Sequence, residues 1–456
     1  MSPRAMRRAR EREVRREAKR KARLARRGLL TAGLAVGAGA IFAPGAAQAA
    51  PMTFTVNSLD DHPADGCDPA PGDCTLRDAV DAANSNAGAD TITFQSGLSG
   101  TIDLTEGQIG IYDAVTINGP GADQITVDAG YGSRIFNVDT TTGEDVSISG
   151  LSLVHGVYAV HPVVSGGAIE SVNADLTLAN DTLRHNLTFG RVVSGAAVES
   201  DNGSLTISGS VLANNQALGK YVAEGGAVES THGDLSITDS TLSSNIADVI
   251  GGPQSSGIVA LGGGVFQKYG DVSVSGSTLK GNIASGGIAS GGGGLAGKYG
   301  DVTVGNSTVD HNVADSTGES EGGGIKYASF SSNAPGGAVT ITGSTVNDNV
   351  VTGAGGGVAI DSNYGTLAIS GSNVNDNVAS KYGGGVEVGN TAGSNQFQPA
   401  SNAVTITTTT ISGNSVDGSG GGVDNSNAGE DMLISRSTLS GNFARDDGGG
   451  LEIGGP

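Results

Sequence analysis

Hydrophobic and polar positions repeat in units of 28 to 37 residues from residue 166 to the end of the chain. Each unit opens with a glycine-rich run and an aliphatic residue, as in GGAIE at 166–170 and GGGVD at 420–424. An alternating segment such as LTIS or VTIT follows, and a short segment ending in Asn closes the unit. The period-2 alternation predicts short strands with Leu, Ile and Val facing inward. No 3.6-residue periodicity appears after residue 84, which argues against a helical solenoid.

Repeats of this length indicate a solenoid, which buries its core by stacking one unit on the next. The length of the units varies while their internal pattern stays constant. Each unit is therefore predicted to form one rung, and the loops are predicted to differ in size from rung to rung. We therefore predict an all-β, right-handed parallel β-helix with about 30 residues per rung. Three short strands are expected in each turn.

An Asn closes every complete unit, and the residue three positions earlier is always Leu, Val or Ile. Asn tolerates the left-handed backbone that a sharp bend requires. Stacked strands lie about 4.8 Å apart, a spacing that also suits hydrogen bonds between side-chain amides of successive rungs. We predict a structural Asn ladder with nine members: Asn186, Asn215, Asn245, Asn282, Asn312, Asn349, Asn377, Asn414 and Asn442.

The first fifty residues differ from the rest. They hold 13 Lys or Arg, followed by an apolar run at 28–42 and by AQAA at 47–50, the pattern of a bacterial signal peptide with a long basic region. Its removal leaves 12 basic and 43 acidic residues, a net charge of −31. That charge argues against nucleic acid or an anionic membrane as partners. Solubility is its favoured interpretation, and Ca²⁺ as a counter-ion is the alternative. The expected organisation is a signal peptide (1–49), an N-terminal cap (50–90), first coils (91–165) and repeat rungs (166–456).

The ends of a stacked core need caps. The sequence CTLRDAVDAAN at 74–84 predicts a helix with Thr75 as N-cap and Asp78 at N3, and its apolar face would seal the first rung. The two cysteines, Cys67 and Cys74, predict a disulfide in an oxidising compartment. At the other end the sequence stops one strand into a new rung, so we expect the natural chain to continue past residue 456.

Two stretches carry family resemblances. The order FTVNSLDD, CTLRDA (74–79) and GADTITF resembles the CSLREA module found at the front of exported bacterial β-helix proteins. The repeats are similar to the GGA(I/L/V) and FxxN repeats of polymorphic outer-membrane proteins, with Leu, Val or Ile in place of Phe. These resemblances imply export, a β-helix and an adhesin-like role, and they imply no catalytic residue.

A possible catalytic face lies at the position after the aliphatic residue of each glycine run. Glu170, Glu199 and Glu229 occupy it on three successive rungs. Stacked like charges repel one another, which leaves three interpretations: a Ca²⁺ site, a general acid with raised pKa, or a solvated acidic stripe, which we favour. His232, Arg184 and Arg191 are candidates to complete a site there.

Further along each rung, a second set of acidic residues comprises Asp175, Asp234, Asp271, Asp301 and Asp431. Asp at such a bend usually caps a turn, and calcium binding is the weaker alternative. Lys-Tyr pairs occur on two adjacent rungs, at 268–269 and 298–299. Turn packing is the favoured interpretation, and stacking on sugars is the alternative.

These features favour a secreted or cell-surface bacterial protein that acts as a rigid stalk or an adhesin-like surface. Its expected partner is an extracellular polysaccharide or a cell surface, with membrane contact only through the signal peptide before cleavage. The alternative is a polysaccharide lyase or glycoside hydrolase acting at the Glu170, Glu199 and Glu229 face, where two carboxyls about 5–9 Å apart would serve glycoside hydrolysis.

Overall fold

The computed structural model describes residues 50–159, 161–250, 258–329, 337–362, 365–389, 403–425 and 431–454. The predicted signal peptide at 1–49 lies outside these residues. No helix in the described ranges is long and apolar enough to span a membrane.

The chain is a right-handed parallel β-helix, as the repeat predicts, with three parallel sheets of 23, 12 and 14 strands. Each sheet is built by successive rungs pairing in register, as where Leu205–Ser208 pairs with Leu235–Thr238. A full rung contains five strand segments rather than the three expected, because two of its three sides are divided by a corner. We number these five columns in chain order, starting after the glycine run.

The first and second columns form the largest sheet, and two of its strands run through both columns. The first column contains Ile109–Ile111, Phe136–Ser149, Ile169–Ala179, Val198–Asp201, Val228–Thr231, Val265–Lys268, Leu295–Lys298, Ile325–Ser329, Val358–Ser362, Val386–Gly389, Val423–Asn425 and Leu451–Ile453. The second column contains Thr53–Val56, Asp90–Phe94, Val115–Asn118, Leu205–Ser208, Leu235–Thr238, Val272–Ser275, Val302–Gly305, Ala338–Thr342, Thr366–Ser370, Val404–Thr407 and Met432–Ser435.

The other two sheets close the turn. The third column contains Gly100–Asp103, Ile125–Asp128, Ser152–Val154, Thr182–Arg184, Val211–Ala213, Thr241–Ser243, Thr278–Lys280, Thr308–Asp310, Thr345–Asn347, Asn373–Asn375, Thr410–Ser412 and Thr438–Ser440. The fourth and fifth columns share Val157–Tyr158, Val163–Ser165, Leu187–Ser194, Gln216–Glu224, Ile246–Val249, Val259–Leu261, Ile283–Gly286, Ala289–Gly291, Val313–Asp315, Glu319–Glu321, Val350–Val351, Val378–Ala379, Ser415–Val416 and Phe443–Ala444.

The main hydrophobic core runs inside the first three columns, where aliphatic residues stack rung upon rung. A smaller core of Val and Ala fills the space beside the fourth and fifth columns. The fifth column and the glycine run fold back over the outer side of the first column, so the first column is covered on both faces. A Cβ on Gly226 would come within 2.5 Å of the backbone of Ile246 at the start of the fourth column, so glycine is required where the run passes close to that column.

The predicted N-terminal cap is confirmed. The helix α1 spans Leu76–Ser85, and its N-cap Thr75 forms a capping box with Asp78. Cys67 and Cys74 form a disulfide with a Cα–Cα distance of 4.3 Å. The apolar face of α1 joins the main core through residues that include Leu76 and Val80, so the helix seals the first rung.

Replacing Thr75 by Ala is expected to destabilise this cap by about 1 kcal/mol. The substitution removes the hydroxyl that accepts from the Asp78 N–H at 3.1 Å. Hydrogen exchange of the α1 amides measures the change. Thr75→Ser retains the hydroxyl and serves as the matched control, so equal exchange in both variants would rule out the capping role.

Candidate functional site

The residues that follow the aliphatic residue of each glycine run do not form a surface that is open to solvent. Glu170, Glu199 and Glu229 pair in register on successive first-column strands, but Glu199 is 2% exposed and Glu229 is 4% exposed. The fifth column covers them. The favoured solvated stripe is therefore wrong for these two residues, and their burial keeps them from reaching a polymer in solvent. We call this covered space between the first and fifth columns the slot.

Glu170 lies at the start of the slot and is held by a buried arginine. Arg134 Nη1 lies 2.9 Å from Glu170 Oε2, and Ser165 Oγ donates to Glu170 Oε1 at 2.6 Å. Arg134 also donates to the Gly166 and Ser165 carbonyls. A carboxylate held in this way is one partner of a structural ion pair rather than a free general acid.

The three residues proposed to complete that site lie elsewhere. His232 Nδ1 lies 3.1 Å from Asp201 Oδ1 at the corner between the first and second columns. Arg184 is exposed in the third column. Arg191 lies over the Tyr221 ring, 5.7 Å from its centroid. The structure therefore does not bring the sequence-predicted catalytic set together on one accessible surface.

A shallow groove of about 380 Å³ lies instead on the outer face of the second column. Four successive rungs line it. The polar lining consists of three carboxylates and five hydroxyls: Asp234, Asp271, Asp301, Ser204, Thr206, Ser236, Ser273 and Thr303. We call this surface the second-column groove. It presents carboxylate and hydroxyl oxygens in lines that repeat at the strand spacing.

The three groove carboxylates also hold the rungs in register. Asp234 Oδ1 accepts from the Asp271 N–H at 3.0 Å, and Asp271 Oδ1 accepts from the Asp301 N–H at 2.8 Å. Asp301 Oδ1 accepts from the Ala338 N–H at 2.8 Å. All three residues nevertheless remain exposed. These carboxylates therefore have the favoured turn-capping role, and each one accepts its hydrogen bond from the next rung. They also stay accessible to a ligand.

Of the other two acidic residues in this set, Asp175 also bonds the next rung. Its Oδ1 accepts from the Ser204 N–H at 2.8 Å. Asp431 is exposed and accepts from the Val404 N–H through its backbone carbonyl at 3.0 Å. Neither residue lines the second-column groove.

A stack of rings borders the second-column groove two residues before the carboxylates. The His232 and Tyr269 ring centroids are 5.0 Å apart, and those of Tyr269 and Tyr299 are 5.1 Å apart with an interplanar angle of 8°. Lys268 and Lys298 lie over the two tyrosine rings. Burial lowers the pKa of Lys298, and the neighbouring Lys268 ammonium lowers it further. The rings pack on one another, so they offer a ligand their edges and hydroxyls rather than open faces.

The nine Asn residues form a continuous line of hydrogen bonds at the corner between the third and fourth columns. In the middle of the line, Asn282 Nδ2 donates to the Leu242 carbonyl and to Asn312 Oδ1, both at 3.0 Å. Asn282 Oδ1 accepts from the N–H and Nδ2 of Asn245. The left-handed residue of each bend is the one before the Asn, such as Asn214 at φ 57°, and not the ladder Asn itself.

Sequence reasoning missed a parallel line of hydroxyls at the corner between the second and third columns. Each hydroxyl accepts from the backbone N–H of the preceding rung, as where Ser240 Oγ accepts from the Ser210 N–H at 3.1 Å. The line comprises Ser210, Ser240, Ser277, Ser307, Ser344, Ser372, Thr409 and Ser437, and Asp181 stands at its head. The signal was present in the sequence, because each of these residues lies five positions before a ladder Asn.

Two groups of side chains in the described ranges are close enough to hold a metal ion. In one, Asp78 is already engaged by the Thr75 capping box. In the other, Asp310 lies 2.8 Å from Lys280 Nζ and is bonded to His311. These contacts account for both groups without a metal.

No protein-family model matches this chain, and no curated protein matches it. Among solved structures, the A-module of the mannuronan C-5 epimerase AlgE6 of Azotobacter vinelandii aligns with 84% of this chain and 94% of that chain. The sequence identity is 13% and the TM-score is 0.33. A likeness of this size carries no conclusion about activity.

Proposed function

We propose that this chain is an exported, non-enzymatic β-helix that displays an adhesin-like surface and binds a neutral polysaccharide along the second-column groove. The observation that carries the proposal is the groove itself. Three accessible carboxylates and five hydroxyls line up across four rungs, beside the edges of a ring stack. Convergent polar groups in a concave surface are the usual features of a ligand site.

The groove chemistry favours sugar hydroxyls as the ligand groups. Carboxylates accept hydrogen bonds, and Ser and Thr hydroxyls both donate and accept them. A neutral polymer is favoured because three aligned carboxylates would repel an anionic chain. The register of the stacked rungs keeps these groups in fixed positions, so little ordering of the protein is needed when a ligand binds.

Export is proposed from the sequence, and the structure is compatible with it. The basic and apolar pattern of residues 1–49 resembles a signal peptide, and the disulfide between Cys67 and Cys74 suits an oxidising compartment. The resemblances to the CSLREA module and to the outer-membrane repeats support a surface role.

The test is a panel of neutral and acidic polysaccharides, with retention of the protein and release of reducing ends and unsaturated products measured in parallel. We expect retention on at least one neutral polymer without product. Release of product that is lost in Glu199→Gln would overturn the proposal and place catalysis in the slot. Absence of both retention and product would leave a stalk as the function.

Replacing Asp271 by Asn is expected to weaken that retention about tenfold, equivalent to about 1.4 kcal/mol. Asn keeps the oxygen that accepts from the Asp301 N–H, so the fold should stay intact while the charge is lost. Binding titrations of the retained polysaccharide measure the effect. The control is Glu319→Gln, which removes an exposed charge in the fifth column. Equal affinities of the two variants would exclude the groove as the binding site.

A further inference from the structure

The hydroxyls that line the second-column groove belong to a longer row along the β-helix. On ten successive strands of the second column, the same register position holds Thr or Ser, and each of these residues is half-buried or exposed. The row comprises Thr53, Thr91, Thr116, Ser147, Thr177, Thr206, Ser236, Ser273, Thr303 and Thr340. We call it the outer row. It crosses the strands and therefore runs along the axis of the β-helix.

The outer row consists of small side chains that carry a hydroxyl and no charge. Thr is favoured in strands for its β-branched shape, but Ser147, Ser236 and Ser273 share only the hydroxyl with it. A hydroxyl both donates and accepts hydrogen bonds, and neither residue type is bulky. A polymer can therefore lie along the row and make the same hydrogen bond at each strand.

Within the groove, each hydroxyl of the outer row is accompanied by a carboxylate two residues earlier. Residues two positions apart in a strand face the same side of the sheet. The pairs are Asp234 with Ser236, Asp271 with Ser273, and Asp301 with Thr303. Three successive rungs thus present the same pair of hydrogen-bonding groups, which suits a ligand that is itself a repeat.

The ring stack beside the groove gives the length of this repeat. The ring centroids of His232 and Tyr269 are 5.0 Å apart, and those of Tyr269 and Tyr299 are 5.1 Å apart. An extended β-1,4-linked glucan or mannan advances by close to this distance at each sugar. Alternate sugars of such a chain face opposite ways, but both edges carry a hydroxyl on every sugar. Consecutive sugars can therefore meet consecutive rungs.

We propose that the second-column groove binds an extended β-1,4-linked glucan or mannan that lies parallel to the helix axis, with one sugar on each rung. This inference rests on the proposed function and adds the linkage, the direction and the length of the ligand. Glucans with α-1,4 or β-1,3 linkages coil, so only a few of their sugars would match the rungs. The fixed register of the strands keeps the protein side of this match in place before the ligand binds.

The test is calorimetric titration of the full chain with β-1,4-linked gluco- and manno-oligosaccharides, from the disaccharide to the hexasaccharide. Four rungs line the groove, so the affinity should rise at least as far as the tetrasaccharide. The expected rise is about fivefold per sugar, the effect of roughly one further hydrogen bond. Hexasaccharides with α-1,4 or β-1,3 linkages should bind no better than the β-1,4-linked disaccharide.

Thr303→Val provides a test within the protein, because it removes one groove hydroxyl and retains the shape of the side chain. It should weaken tetrasaccharide binding about fivefold. Disaccharide binding should not change, because the disaccharide can occupy the other rungs. The matched control is Thr308→Val in the third-column strand of the same rung, which should bind both oligosaccharides as wild type.

Three results would overturn this inference while the proposed function stands. The first is equal affinity for the disaccharide and the hexasaccharide, which would show that the ligand does not follow the rungs. The second is retention of a neutral polymer by a protein that binds neither β-1,4-linked series. The third is equal tetrasaccharide affinity of the Thr303→Val and Thr308→Val proteins. Absence of retention on every neutral polysaccharide would instead remove the proposed function, and this inference with it.

Discussion

Replacing Asn282 by Asp is expected to destabilise the middle of the β-helix by about 4 kcal/mol or more. Asn282 is fully buried, and its Nδ2 donates to the Leu242 carbonyl and to Asn312 Oδ1. In the aspartate both donated bonds are lost, oxygens face oxygens, and a charge is buried without a partner. Chemical unfolding followed by circular dichroism measures the loss, with hydrogen exchange to show which rungs open.

The matched control for this prediction is Asn373→Thr. Asn373 is exposed in the third column, and Thr occupies the neighbouring rungs of the same column at 345 and 410. We expect a change within about 0.5 kcal/mol. If the Asn282→Asp protein unfolded at the same denaturant concentration as the Asn373→Thr control, the Asn ladder would contribute little to stability.

Replacing Asp181 by Asn is expected to stabilise the protein at pH 8 and to have little effect near pH 3.5. Burial raises the pKa of Asp181 to about 7. The hydrogen bonds donated by the Leu151 and Ala179 N–H groups favour the ionised form and lower the pKa, but burial outweighs them. Asn can accept one of these N–H bonds without a charge. The gain at pH 8 is at most about 4 kcal/mol, from roughly three pKa units at 1.36 kcal/mol each.

The sign of this pH dependence follows from proton binding. Between about pH 4 and pH 7 the folded protein holds a proton on Asp181 that the unfolded chain has released, so its contribution to stability falls as the pH rises through that window. Unfolding free energies measured from pH 3.5 to 8 should converge for wild type and Asp181→Asn at the acid end. Asp239→Asn, an exposed residue, is the control. A constant gap between wild type and Asp181→Asn across this pH range would rule out the titration of Asp181.

The fold could be predicted because the repeat encodes it directly. Alternation fixes which residues face the core, and stacking brings equivalent residues of successive units together. The capping box of Thr75 and Asp78 depends on local sequence alone, so it too was visible in advance. Five strand segments per rung were not predicted, although a glycine recurs at the corner between the first and second columns, as at Gly233, Gly270 and Gly300.

The burial of the Glu199 and Glu229 column was missed for a physical reason. Alternation reports which face of a strand meets the main core, and it does not reveal that another strand covers the opposite face. A clue was present, because Phe266, Ala296 and Ala359 occupy the same column, and a solvated stripe would not favour such residues. Only part of the second-column groove could be predicted from the sequence. The Asp positions were found, but the neighbouring hydroxyls and the concave shape of the groove depend on how the rungs stack.

The most direct test of ligand binding at the second-column groove is to block it chemically. Both native cysteines are in the disulfide, so Ser273→Cys places a single reactive thiol in the groove, where Ser273 is exposed. After labelling with a bulky maleimide, retention on the polysaccharide selected from the panel should be abolished, while a labelled Asn373→Cys protein should bind as wild type. Undiminished binding by the labelled Ser273→Cys protein would contradict the account.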